Sequence, residues 1–153
     1  MTIQIKRATL DDAAEILEIQ KEAFIVEAQL YNDYNIQPLV QTSEENLESF
    51  KKCVVLKLII DNTIAGSIRA YLENNICFVQ KLIIRTKFQG KGYSYLLLEA
   101  IEKHFKEASE YQLFTGYLSH KNLHIYKKMG YEEFKREKDS ESVTFVFMRK
   151  SLH

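Results

Sequence analysis

The segment spanning residues 76–105 limits the fold of this chain more than any other. A mostly apolar run, Ile76 to Ile84, has the character of a strand. It leads into Gln89-Gly90-Lys91-Gly92, and a helical pattern of Leu96, Leu97, Ala100, Ile101 and Phe105 starts at once. Strand, glycine turn and helix N-terminus together make a device for holding phosphate. The N–H groups of a first helical turn have no intrahelical partner, and the helix dipole favours an anion there. Glycine lets a ligand approach the backbone closely and permits positive φ. Lys91 adds a positive charge. Taken alone, Gly90 and Gly92 could equally be a plain turn, so the rest of the chain must decide.

Upstream, Ile3-Gln4-Ile5-Lys6 alternates at period two and predicts a short strand. Thr9 can cap a helix with Asp11 and Asp12 in its first turn, and Ala13, Ile16, Ile19, Ala23 and Val26 recur at helical spacing. Residues 27–41 then read as a loop with one irregular turn, because Asn32, Asp33, Asn35 and the sole proline, Pro38, break the pattern. Tyr31 and Tyr34 within it either pack onto the core or line a pocket. Thr42-Ser43-Glu44-Glu45 is a capping box opening a helix to about Lys52, with Leu47 and Phe50 inward.

Three strand-length runs follow, over Val54 to Ile60, residues 64–73 and Ile76 to Ile84, joined by tight turns at Asp61-Asn62 and Asn74-Asn75. Such short joins imply an antiparallel meander. Beyond the glycine-turn helix, residues 111–118 predict a strand, 122–129 a short helix closed by Gly130, and 131–134 with 143–148 a hairpin. The order is β-α-α-β-β-β-α-β-α-β-β. It fits an α/β (α+β) fold with one mixed, mostly antiparallel sheet of about seven strands, flanked by about four helices.

A length of 153 residues suits a single domain, 1–153. Lys plus Arg and Asp plus Glu both number 21, so no basic excess points to a nucleic-acid partner. Cys53 and Cys77 form no CxxC pair and sit among apolar residues, which predicts buried reduced thiols. The four His residues show no ligand spacing with them, so no metal is expected. No secretory h-region and no run of about 18 apolar residues occurs, so the expectation is a cytoplasmic protein without a membrane partner.

In this order of elements, with a glycine turn after the fourth strand, the chain resembles the GNAT family of acyl-CoA-dependent N-acetyltransferases. Gln89-Gly90-Lys91-Gly92-Tyr93-Ser94 is similar to the family's Q/R-x-x-G-x-G/A signature. Ser94 stands where Gly or Ala is usual; it is small, and its hydroxyl can donate to a phosphate. Asn122 through Tyr131 resembles the family's Asn…Tyr-x-x-x-Gly-Phe/Tyr segment. Many members carry that Asn seven residues before the Tyr, where this chain has Ser119, whereas Asn122 lies four before Tyr126. Arg7-Ala8-Thr9 and Asp12 before an amphipathic helix form a third, weaker match.

The resemblance implies an acetyltransferase that carries the acetyl group of acetyl-CoA to a primary amine of a small molecule or peptide by direct attack. Acyl transfer requires a polarised carbonyl, a neutral amine and a proton for the departing thiolate. By resemblance, the fourth strand is splayed from the fifth, and backbone groups of Leu82, Ile83 and Ile84 pair with the pantetheine arm. The amides from Gln89 to Tyr95, namely Gln89, Gly90, Lys91, Gly92, Tyr93, Ser94 and Tyr95, would cradle the diphosphate, with Asn122 also at the cofactor. Arg85 and Lys87 are further basic candidates. Tyr126 is the implied general acid, against the alternative of a core tyrosine. Gln80 on the fourth strand cannot accept a proton; Glu73, Asp33 and Glu27 are alternatives, as are His120 and His124, a water-relayed deprotonation is preferred, and no base is assigned. Tyr31, Asp33 and Tyr34 would wall the amine site, where rings and a carboxylate suit an ammonium. The terminal hairpin strands could pair between subunits as a homodimer.

Two other readings compete. A Rossmann domain needs G-x-G-x-x-G near its first strand, and here the third glycine is missing and the turn lies mid-chain. A non-enzymatic acyl-CoA sensor or scaffold of the same fold would bind the cofactor without turnover.

Overall fold

The computed structural model describes residues 1–151; the last two residues of the expected domain lie outside it. Seven strands form one sheet: β1 (Ile3–Arg7), β2 (Val54–Ile60), β3 (Thr63–Glu73), β4 (Ile76–Ile84), β5 (Glu110–Gly116), β6 (Glu132–Lys138) and β7 (Thr144–Ser151). Their spatial order is β1-β2-β3-β4-β5-β7-β6. Every neighbouring pair is antiparallel except β4–β5, which is parallel. The meander is tight because Asp61, Asn62, Asn74 and Asn75 all adopt positive φ. Asn and Asp tolerate that region, and two such residues in a row match the twist of the strands they join.

Five helices cover the sheet: α1 (Ala13–Tyr31), α2 (Gln37–Val40), α3 (Ser43–Lys52), α4 (Tyr93–His104) and α5 (His120–Lys128). Leu97, Leu98 and Ile101 of α4 share one core with Leu58, Ile68, Leu113 and Met148 of the sheet. Ile16 and Ile19 of α1 and Phe50 of α3 share a second core with Val55, Ile64 and Ile83. The start of α1 is fixed to β2 by Lys57 Nζ on Asp12 Oδ2 at 2.9 Å. Both cysteines are free and buried.

The region of 27–41 departs from its expected loop. Glu27 to Tyr31 are the last turns of α1, which stops at Asn32 in the left-handed conformation. A short α2 follows, with Pro38 in its first turn, where a missing N–H costs nothing. Gln20, fully buried on α1, ties α2 down by donating to the Pro38 carbonyl and to Gln41 Oε1, both at 2.9 Å. Leu47, expected inward, is exposed, as is Val26 of the helical pattern. In α3 the residue facing the sheet beside Phe50 is Asn46, which donates to the Ala13 carbonyl at 2.9 Å. Asn46 Oδ1 in turn accepts from the buried Arg69 of β3 at 3.1 Å, while the Phe50 ring lies 5.0 Å from the guanidinium. Burial lowers the Arg69 pKa to about 10.

One feature of the sheet bears directly on function. β4 and β5 pair only at Ile76↔Glu110, Cys77↔Tyr111 and Phe78↔Gln112. On its other side β4 stays paired with β3 to its end, but with an irregularity: Arg69 opposes Gln80 and Ser67 opposes Ile83. Lys81 takes up the extra residue with φ 52. Such a bulge bends and twists a strand. Beyond Phe78 the sheet is therefore split, and one edge of β4 is left without a neighbour from β5.

Candidate active site

A cavity of about 790 Å³ opens at this split. Leu82, Ile83 and Ile84 form one wall and Gln89, Gly90, Gly92, Tyr93, Ser94 and Tyr95 its floor. The facing wall comes from Glu27 and Leu30 of α1 and from Ser119 and Asn122 at the start of α5.

The floor is the glycine turn and the first turn of α4. Gly90 and Gly92 have φ 76 and 82, and a Cβ on either would meet nothing within 4 Å. Open space over a left-handed turn is what a ligand-facing backbone requires. The Gln89 amide is taken by the Thr86 carbonyl at 3.2 Å and the Tyr95 amide by Gly92 at 3.2 Å. The amides of Gly90, Lys91, Gly92, Tyr93 and Ser94 make no hydrogen bond among the described residues. The cradle expected over Gln89 to Tyr95 is thus narrower by one residue at each end. The Gln89 side chain instead closes the end of β4, with Nε2 donating to the Ile84 carbonyl at 2.9 Å. Arg85 is engaged elsewhere, with Nε on the Ile64 carbonyl at 2.8 Å and Nη2 on Glu15 at 3.2 Å. Lys87 is exposed, its Nζ 5.2 Å from the Phe88 ring centroid.

The facing wall is held by a connected set of side chains. Ser119 Oγ donates to Glu27 Oε2, and Asn122 Nδ2 donates to Glu27 Oε1 at 3.3 Å. Asn122 Nδ2 is also 3.3 Å from Thr115 Oγ1. Tyr31 Oη lies 3.2 Å from Ser119 Oγ and accepts from the Leu118 amide at 2.9 Å. A carboxylate only accepts, so the proton order is fixed: Leu118 N–H to Tyr31, Tyr31 O–H to Ser119, Ser119 O–H to Glu27. Burial raises the Glu27 carboxyl above the usual carboxylate range, and the Ser119 hydrogen bond only partly offsets this. Burial likewise raises the Tyr31 phenol.

Tyr126 is buried at 7% exposure on the inner face of α5, with its ring 6.1 Å from that of Tyr131. It is not among the residues lining the cavity; Asn122 and Ile125 of the same helix are. Its hydroxyl has no hydrogen-bond partner among the described residues. Burial pushes this phenol far above its ordinary value, and the nearby Glu27 charge adds to the shift.

The expected amine-site wall is redistributed. Tyr31, Asp33 and Tyr34 do not line the cavity. Tyr31 is a buried bracket behind Ser119. Asp33 lies beyond the end of α1, accepting from Ser142 at 2.6 Å and from the Asn35 amide at 2.9 Å, which holds its carboxyl below the usual range. Tyr34 is exposed. The loop assignment missed that Glu27 and Tyr31 sit one helical turn apart and so reach the same neighbour, Ser119. Glu73 lines a separate cavity with Glu44, Glu45 and Glu48.

A family model described as an acetyltransferase (GNAT) domain matches residues 18–152. No curated protein matches by sequence. Among solved structures, the chain is similar to a PaiA N-acetyltransferase from Thermoplasma acidophilum, crystallised with coenzyme A, at 19% identity and TM-score 0.82, covering 99% of both chains. It is similar to the ribosomal-protein-S18-alanine N-acetyltransferase of Escherichia coli at 11% identity and TM-score 0.82, covering 99% of this chain and 94% of the other. An acetyltransferase of Streptococcus pneumoniae shares 20% identity at TM-score 0.73, over 99% and 100%.

Proposed function

The chain belongs to the GNAT acetyltransferase family, and from that premise we propose that it moves the acetyl group of acetyl-CoA to a primary amine of a small molecule or peptide. One observation carries the proposal: the split between β4 and β5 runs onto a row of free amides, Gly90 to Ser94. An extended thioester arm fits the unpaired β4 edge as an added strand would. A diphosphate fits the positive end of α4. The two glycines leave that floor open, so the residues present suit the cosubstrate.

When bound, the cosubstrate supplies an activated acetyl carbonyl. Backbone groups of Leu82, Ile83 and Ile84 orient it, and an N–H of this strand polarises its oxygen. Gly90, Lys91, Gly92, Tyr93 and Ser94 bind the diphosphate through their amides, with Gln89 and Tyr95 bracketing the turn. Asn122 shapes the wall beside the sulfur. Tyr126, carried over from the family motif, is the proton donor for the sulfur in this reading, which requires the arm to reach past Asn122 and Ile125 to its buried hydroxyl. The amine assignment draws on the similar solved structures named as N-acetyltransferases. No helix of the described residues is long and apolar enough to cross a membrane, and we place the enzyme in the cytoplasm.

Titration calorimetry with CoA tests the cradle, and thiol release from acetyl-CoA over polyamines, amino acids, aminoglycosides and peptides tests transfer. Binding with turnover is expected. Binding without turnover on any amine would favour a sensor or scaffold, and absence of CoA binding would overturn the assignment.

A further inference from the structure

Resting on the acetyl-transfer reading, we infer that Glu27 is the general base that takes the proton from the amine acceptor's ammonium. Glu27 is the only carboxylate among the described residues lining the cavity, which Leu82, Ile83 and Ile84 of β4 also line. Neither of its oxygens forms an ion pair with Lys or Arg among the described residues. A half-buried carboxylate serving structure alone would gain from such a pair. Glu27 has instead two neutral donors, Ser119 on Oε2 and Asn122 on Oε1. These fix the carboxylate's orientation without cancelling its charge, leaving lone pairs for a third donor. Behind them Tyr31 and the Leu118 amide complete a one-way chain of donors, so Ser119 cannot turn its proton away.

The other carboxylates are committed elsewhere. Glu73 opens on a different cavity, and Asp33 is held by Ser142 and Asn35 outside this one. The groups that face Glu27 are Tyr31 from its own helix, and Ser119, Asn122 and Tyr126 from the start and body of α5. His120, Lys121 and His124 of α5 line the same cavity, as do Tyr93 and Tyr95 of α4. Lys121 points to Gln89 Oε1 at 3.5 Å.

In the reaction one N–C bond forms and one C–S bond breaks. The ammonium's first proton passes to Glu27, directly or through one water, and the freed lone pair attacks the carbonyl. The sulfur leaves with the C–S electron pair and takes a proton from Tyr126. The nitrogen's second proton departs as the amide forms and restores that phenol. Glu27 returns its proton to solvent, so each turnover releases one.

The test has two arms. In the first, the carboxyl carbons of ¹³C-labelled protein are titrated by NMR, with Glu27→Gln assigning the resonance. Glu27 is expected to titrate above the exposed glutamates and to move higher still in Ser119→Ala. Titration together with the exposed glutamates would overturn the inference. In the second, Glu27→Gln is assayed with the panel amine that wild type turns over fastest. Its kcat at neutral pH should fall about a hundredfold or more, with acetyl-CoA affinity retained. The deficit should shrink as pH approaches the amine's own pKa, where the acceptor deprotonates unaided. An unchanged kcat, or a deficit constant with pH, would overturn it. Failure of wild type to bind CoA or to acetylate any amine would count against the transfer reading, while the NMR arm still decides whether Glu27 has a base's titration.

Discussion

At the residue scale the site depends on a close approach that leaves no tolerance. A Cβ on Gly116 would overlap the Tyr31 hydroxyl and lie 2.5 Å from its Cζ. Tyr31 is pinned by Leu118 and Ser119, so the ring has nowhere to retreat without unhooking Glu27. Gly116→Ala should therefore cost about 1–3 kcal/mol in urea unfolding. It should also lower transfer while leaving CoA binding intact. Tyr126→Phe removes one oxygen from a well-packed ring. If the phenol is the proton donor, kcat should fall about a hundredfold with acetyl-CoA affinity unchanged; equal loss in both would mark a packing role. The glycine turn of Gly90 and Gly92 was legible in the sequence because it belongs to a spaced motif. The contact between Glu27 and Ser119 was not, because it spans 92 positions and no local pattern announces it.

At the scale of elements, the meander and its turns were legible because Asn and Asp pairs are chemically suited to positive φ. The length of α1 was not. Glu27, Ala28, Gln29 and Leu30 are all good helix formers, but the polar turn residues after them suggested an earlier stop. The helix in fact runs until Asn32 can end it in the left-handed conformation. Those added turns carry part of the site's lining, so a small boundary error put Glu27 on a loop rather than on the helix. The start of α4 was read more fully, and it can be probed by Gly92→Ala. No atom stands in the way of that Cβ, so the cost is that of forcing an L residue to φ 82, about 1–2 kcal/mol. If the free amides of Gly90 to Ser94 bind the diphosphate, calorimetry should show weaker CoA binding, because the strained turn shifts them. Urea unfolding of the apo protein separates the two effects.

For the whole molecule, Glu27 ties stability to pH. Its carboxyl is raised in the folded state, so the unfolded chain gives up that proton at lower pH. Stability is unaffected by this group below the unfolded pKa and declines as pH rises through the folded one. Urea unfolding should thus show Glu27→Gln gaining on wild type between acid and neutral pH, with the difference vanishing in acid. The opposite trend would mean that the carboxylate is stabilised in place. The seven strands and their order along the chain were legible from the run of patterns, whereas the place where β4 and β5 part was implied by resemblance alone. Side chains on the two strands look the same whether or not the backbones meet. That parting has a consequence beyond catalysis. If the thioester arm completes the ladder, saturation at a hundred times Kd should add about 2.7 kcal/mol of stability, visible as a rise in Tm. A starved cell would then hold this enzyme in its looser, protease-sensitive form, so its lifetime would follow the supply of acetyl groups it spends.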